Sequence, residues 1–221
     1  MSANKDLVIV GCGGHARSVA DVAMSCGVCD FIFWDINARE NEKLFAFPVL
    51  SDKSILDKNN HIFFAVGDNK ERFEFFKRFE TKNIINVVSK NTYIAPTSTI
   101  GRGIFIAHGV HVGPMVTIGD NTIINTCAVI EHECTIGKHS HISVNATIAG
   151  RCKIGDFVFV GAGAVIKDKI SICSNVTIGA GSVVINNINE VGVYVGIPAK
   201  KIKSNDCNAN SLYSSFKELA H

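Results

Sequence analysis

The chain has 221 residues, 47% of them hydrophobic and 19% charged, with a formal net charge of +2. It is too apolar for a disordered chain and too neutral for charge alone to mark a nucleic-acid binder. No 18-residue apolar run exists, so no membrane span is expected. The N-terminus lacks a basic segment followed by an apolar one, which argues against a secretory leader and for the cytoplasm. The averages conceal a split. Ten of the 14 Phe precede residue 90, whereas 12 of the 19 Gly fall between residues 94 and 189. Two domains with different core rules follow, 1–89 and 90–203, with a tail at 204–221.

The first domain reads as alternating strands and helices. Leu7–Val10 is an apolar run, closed by the cluster Gly11-Cys12-Gly13-Gly14-His15-Ala16-Arg17. Residues 15–26 have helical spacing, with Val19, Val22, Ala23 and Cys26 on one face. Strands follow at Phe31–Trp34, His61–Val66 and Ile84–Val88. Ser51 is positioned to cap a short helix through Leu56. Lys70–Glu80 is a second amphipathic helix, with Phe73, Phe76 and Phe79 inward. The pattern is that of a small parallel α/β sheet, about half a dinucleotide fold.

Ligands of such sheets sit beyond the carboxyl ends of the strands. Three loops lie there: Gly11–His15, Asp35–Asn37 and Gly67–Asn69. Glycines allow close approach to a phosphate, and a helix start offers free N–H donors. Asp35 follows Gly11 at the distance where an acid meets a ribose hydroxyl. Gly11, Gly13, Gly14, His15, Asp35, Ile36, Gly67 and Asp68 are the candidate residues for a mononucleotide or nucleotide-sugar. Whether Asp35 and Asn37 face ribose or base is open. Arg17, Lys70 and Arg72 could offset a diphosphate, with a solvated surface position the expectation for each.

From residue 94 an aliphatic residue recurs at every sixth position, Ile or Val in all sixteen hexads from Ile94 to Val184. The next residue is Gly in seven of them, and the fifth position is small or aliphatic. Neither the helical period nor strand alternation produces this; a hexapeptide repeat is the signature of a parallel β-helix. Each hexad supplies one flat face and a corner, so residues 18 apart stack, with coils about 4.8 Å apart. Eight cysteines invite a metal or disulfide reading. Cys26 and Cys29 lack a second ligand pair, and Cys134 and Cys152 occupy small-residue slots. Buried reduced thiols and no metal are expected.

The hexads resemble those of the hexapeptide-repeat acyltransferases, whose β-helix is left-handed. The exit Gly196-Ile197-Pro198-Ala199-Lys200 is similar to theirs. The sequences GCGGHAR, at residues 11–17, and VIEHECTIGKHSHISVNATIAG, at residues 129–150, narrow the likeness. They resemble the sialic acid O-acetyltransferase-like family, which includes bacterial N-acetyltransferases of nucleotide-linked 4-amino-4,6-dideoxy sugars. The resemblance covers about residues 5–202. It implies a homotrimer with active sites between neighbouring prisms, acetyl-CoA along the β-helix and the nucleotide on the N-terminal domain.

Acylating an amine with a thioester needs a base, an oxyanion donor and two substrates held together. Of five histidines in the repeat, only His132 is flanked by acids, Glu131 and Glu133. By resemblance His132 is the base and Glu133 the acid tied to its basicity. His141 corresponds to the residue near the acetyl thioester, Gly150 to a backbone donor to the acetyl carbonyl, and Ala162 and Ala180 to cofactor-edge positions. Glu131 remains a second possible partner of His132. His108, His111 and His139 are expected to be solvated corner side chains. The expected activity is acetyl transfer from acetyl-CoA to an amino-deoxy sugar, at the C4 amine. An O-acetyltransferase and a non-catalytic nucleotide-binding scaffold are the alternatives. Lys200, Lys201 and Lys203 form a basic run after the repeat. Beyond it, Leu212, Phe216 and Leu219 have helical spacing.

Overall fold

The computed structural model describes residues 7–57, 60–79 and 83–203. The helical spacing at Leu212–Leu219 lies outside the described residues. The N-terminal domain runs β1 (Leu7–Val10), α1 (Gly14–Ser25), β2 (Phe31–Trp34), β3 (Lys43–Leu44), β4 (Phe47–Leu50), α2 (Ser54–Asp57), β5 (His61–Phe64), α3 (Asn69–Arg78) and β6 (Asn83–Ile84). Its sheet has the order β3-β4-β2-β1-β5-β6, parallel except for the β3–β4 hairpin. That hairpin turns on Phe45 and Ala46, both at positive φ. Two-residue turns of this kind usually take Asn-Gly, so Phe-Ala carries no turn signal. β1 lies between β2 and β5. The strand order reverses there, and the Gly11 and Gly67 loops meet above it. Gly11 has a φ of +106°, and an added Cβ would sit 3.1 Å from the Ala65 carbonyl oxygen. Both facts demand glycine.

Two expectations are corrected here. The segment Ile84–Val88 is not one strand: β6 ends the N-terminal sheet, while β7 (Val87–Val88) opens the repeat by pairing with Phe105–Ile106. The short helix is capped by Asp52 rather than Ser51, its carboxylate accepting from the Ser54 N–H at 2.8 Å.

The repeat folds into a prism with three parallel faces. Face I stacks Val87–Val88, Phe105–Ile106, Ile123–Ile124, His141–Ile142, Phe159–Val160 and Val176–Ile178. Face II runs from Tyr93–Ile94 to Val183–Val184, and face III from Thr99–Ile100 to Ser171–Ile172. Registers advance by 18 residues throughout, as with His111 opposite Val129. The Ile/Val ladders fill the interior, leaving no width for inward rings. At three polar fifth positions the side chain bonds the carbonyl fifteen residues on. Ser98 reaches Gly113, Thr122 reaches Gly137 and Ser140 reaches Gly155, at 2.8 to 3.0 Å. The Cys134 and Cys152 thiols do the same to Ala149 and Lys167. These cysteines are reduced interior donors that satisfy corner carbonyls.

The N-terminal domain covers face I. His108 bridges to it, 2.6 Å from the Ser89 hydroxyl and 3.3 Å from Asp21 on α1. The Cys26 thiol donates to the Val88 carbonyl. α3 buries Arg72, Phe75 and Phe76. The expected inward Phe73 is only half-buried, with its ring on His139 and Phe157 of the prism. His139, expected in solvent, is 7% exposed inside that cluster. Arg72, also expected at the surface, is 1% exposed. Among the described residues no helix is long and apolar enough to cross a membrane.

Candidate active site

The first cluster occupies the corner between faces II and III. After Ile130 the chain leaves face II, and the turn places Glu133 in the left-handed region, at φ 60°. The His132 Nδ1 lies 3.0 Å from Glu133 Oε1. One coil further, the Arg151 Nε–H donates to that same oxygen at 3.1 Å. Glu133 is therefore the carboxylate paired with His132, and Arg151, which the sequence reading missed, is its second partner. The bond from His132 holds the Glu133 carboxyl below the usual carboxylate range, with the Arg151 charge adding to the effect. A proton held on Nδ1 by Glu133 leaves Nε2 as the free lone pair. That nitrogen lies over Gly150, where an added Cβ would approach it to 2.6 Å. The glycine is what lets the ring lie flat against the next coil.

The second cluster forms where the N-terminal loops meet face I. His15 packs edge-on against Phe105 at 5.0 Å, and its ring is 6.3 Å from that of His141. His141 packs edge-on against Phe159, and its Nε2 is 3.2 Å from Asn125 Nδ2. Asn125 is a further residue the sequence reading did not single out. Burial lowers His15 to about 3, helped by the charges of His141 and Arg72. Burial and then the Arg72 charge lower His141 to about 4, while the Gly67 backbone opposes this. Both imidazoles are thus neutral at pH 7. His15 Nε2 and His141 Nδ1 are buried without a well-formed hydrogen bond among the described residues.

The remaining candidates lie on the N-terminal loops and at another corner of the prism. Asp68 caps α3, accepting from the Lys70 and Glu71 N–H groups at 3.0 and 2.9 Å. Asp35 accepts from Asn37 N–H at 2.9 Å, and Ile36 packs on the apolar layer around Trp34. Burial raises Glu71, reinforced by the charges of Asp68 and Asp35. Gly13 and Gly14 are exposed at the start of α1, with open space around them. Arg17 donates to the Cys12 carbonyl within this loop at 3.1 Å. Ala162 and Ala180 are exposed and stacked at the corner between faces I and II, linked by the bond from Gly181 N–H to the Ala162 carbonyl. One chain therefore brings His15, Gly67 and His141 together, and sets His132, Glu133 and Gly150 on a different edge of the prism. Among the described residues no group of three or more His, Cys, Asp or Glu could hold a metal ion.

Two families match the chain. The PglD N-terminal domain matches residues 6–79, and the bacterial transferase hexapeptide (six repeats) matches residues 151–186. No curated protein matches significantly. Among solved structures, the acetyltransferase domain of PglB from Neisseria gonorrhoeae superposes with a TM-score of 0.85 at 27% identity, covering 90% of this chain and 100% of that one. It has also been solved in complex with acetyl coenzyme A. PerB from Caulobacter crescentus, in complex with CoA and GDP-perosamine, superposes with a TM-score of 0.85 at 28% identity, covering 90% and 98%. WeeI from Acinetobacter baumannii shares the fold, at a TM-score of 0.63 and 20% identity.

Proposed function

We propose that this chain transfers an acetyl group from acetyl-CoA to an amine of a nucleotide-linked amino-deoxy sugar, the C4 amine of a 4-amino-4,6-dideoxy sugar; its matches to the PglD N-terminal domain and the bacterial transferase hexapeptide families support this reading. The observation that carries this reading is the His132–Glu133 pair with Nε2 open over Gly150. His132 takes a proton from the amine as its nitrogen attacks the thioester carbon. The C–N bond forms, the C–S bond breaks, and the imidazolium returns the proton to the CoA sulfur. Glu133 holds the imidazole by its Nδ1 and offsets its positive charge. The Gly150 N–H faces the acetyl oxygen. His141 and Asn125 border the acetyl end, and Ala162 and Ala180 leave a smooth edge for the rest of the coenzyme. The nucleotide lies over the Gly11–His15, Asp35–Ile36 and Gly67–Asp68 loops.

A homotrimer is part of this proposal. Face I is covered by the chain's own N-terminal domain, and the outward residues of face III are Thr99, Thr117, Thr135, Lys153 and Ser171. Those of face II are Tyr93, His111, Val129, Thr147, Val165 and Val183, a mostly apolar stripe with Tyr93 stacked on His111. A second copy of the chain against face II would bury that stripe and bring one copy's His132 edge to its neighbour's His141 edge.

The test is CoA-thiol release with UDP-, dTDP- and GDP-linked amino sugars. Turnover of one of them, with kcat lowered about 10²- to 10⁴-fold in His132→Ala, is the expected result. Near-normal kcat in that variant would sink the base assignment. Acceptance of sugar hydroxyls alone would replace the amine by an alcohol.

A further inference from the structure

Arg72 is a charged side chain sealed between two domains. Its guanidinium donates to two groups of carbonyls. Nη1 reaches Val66, Gly67 and Asp68 at 2.9, 3.2 and 3.3 Å, all in the loop leaving β5. Nε reaches Asn121 at 3.1 Å, and Nη2 reaches His139 and Ser140 at 3.1 and 3.2 Å, on two successive coils. Nη2 also donates to the Asn69 side chain at 2.8 Å. Asn121 and His139 are both left-handed corner residues, with φ 56° and 57°. Asn121 returns a bond to the Arg72 carbonyl at 3.3 Å. A buried cation is costly unless its donors are used, and here they are spent on tying one loop to one corner of the prism.

What that tie fixes is the height of Gly67 above His141. His141 follows the anchored His139-Ser140 pair directly, and Gly67 is itself one of the anchored carbonyls. Its backbone acts on His141. A further side-chain bond to the prism, from the first residue of α3, runs from Asn69 Nδ2 to the Val158 carbonyl at 3.3 Å.

We propose that Arg72 is a positioning residue that holds the nucleotide-sugar loop at Gly67–Asp68 in register with the acetyl site at His141. The inference rests on the functional reading above. Arg72 touches neither substrate. It acts by setting the distance between the groups that do. Lysine keeps the charge but presents three donors from a single point, so it cannot serve both groups of carbonyls at once.

The experiment compares Arg72→Lys with the intact enzyme in steady-state kinetics, thermal unfolding and amide hydrogen exchange. The nucleotide-sugar KM should rise at least about tenfold, the acetyl-CoA KM should stay within about twofold, and exchange should quicken in residues 66–69 and 139–141 together. Equal rises in both KM values would mean a merely structural role and overturn the proposal, as would no change in either. If Arg72→Lys does not fold, Asn69→Ala removes one guanidinium acceptor and the Val158 link, and should shift the nucleotide-sugar KM in the same direction by a smaller factor. An unchanged KM there overturns the proposal. Should the intact protein turn over no nucleotide-linked amino sugar, the functional reading fails. The paired exchange response still reports whether Arg72 couples loop and prism.

Discussion

Replacing Gly150 by alanine isolates the geometry of the proposed base. An alanine Cβ would fall 2.6 Å from His132 Nε2, 2.7 Å from Cε1 and 3.2 Å from Cδ2. Ordinary contact needs about 3.5 Å, so the ring must retreat by about 1 Å. Gly150 does not lie at positive φ, so the backbone accepts alanine without strain, and its N–H is kept. His132 is 41% exposed and free to swing outward, so stability should change by about 1 kcal/mol or less. Displacing a catalytic group by about 1 Å costs on the order of 10²-fold in rate. That is about 2.7 kcal/mol of activation free energy. The expected result is kcat for acetyl transfer lowered roughly 100-fold with near-normal thermal unfolding. The Gly150→Ala, His132→Ala double variant should be no worse than His132→Ala alone, because without the ring there is nothing to displace. A Gly150→Ala enzyme within about twofold of normal kcat would refute the reasoning. The role of Gly150 would then reduce to its N–H, and the ring position would not matter.

Two further outcomes follow from buried and exposed groups. His15 at about 3, and His139 and His141 each at about 4, are neutral in the folded chain, burial being the leading cause for all three. Unfolded histidine titrates near 6.5. The unfolded chain therefore gains protons that the folded one refuses, and stability falls as pH drops from about 6.5 towards 4. Each of the three contributes up to about 1.4 kcal/mol per pH unit. Denaturant midpoints at pH 7, 6 and 5 should decline, and a flat midpoint would contradict the neutral, buried assignment. On face II, Val165→Lys places a charge in the apolar stripe. The mass in solution should fall from trimer towards monomer by light scattering, and an unchanged trimer would show that this stripe is not the contact.

The prism was legible because its signal is redundant. Sixteen aliphatic positions in register specify a parallel β-helix, though not its hand, and each stacked pair repeats the evidence. His132 and Glu133 were legible for a related reason: they are neighbours in sequence, and their bond needs only the local corner turn. Arg72, His139 and Asn125 were not legible. A positively charged residue on an amphipathic helix and a histidine on a β-helix corner both read as solvated, and each is buried only because the N-terminal domain docks on face I. Arg151 was missed because its partner lies 18 residues away, one coil on, a relation that the hexad spacing contains for aliphatic ladders and equally for polar ones. The inward face of α3 was misjudged by the same cause. Helical spacing distributes Phe73, Phe75, Phe76 and Phe79 around the axis, and two packing partners, sheet and prism, divide them.

The docked domain also alters how the prism comes apart. In a stack of repeats each coil touches only its neighbours, so stability propagates like a row of linked units and ends can open independently. Here α1 and α3 are fastened to the stack at Val88, His108, Asn121, His139 and Val158. One rigid layer thus spans coils that would otherwise communicate only through those between them. Loosening any one of these levels must strain the layer and be felt at the others. The N-terminal part of the stack should accordingly melt as one unit with the α/β domain. Fraying is left to the far end, where Gly192–Val195 and Lys200–Lys203 extend face I beyond Val176–Ile178, out of reach of these fastenings.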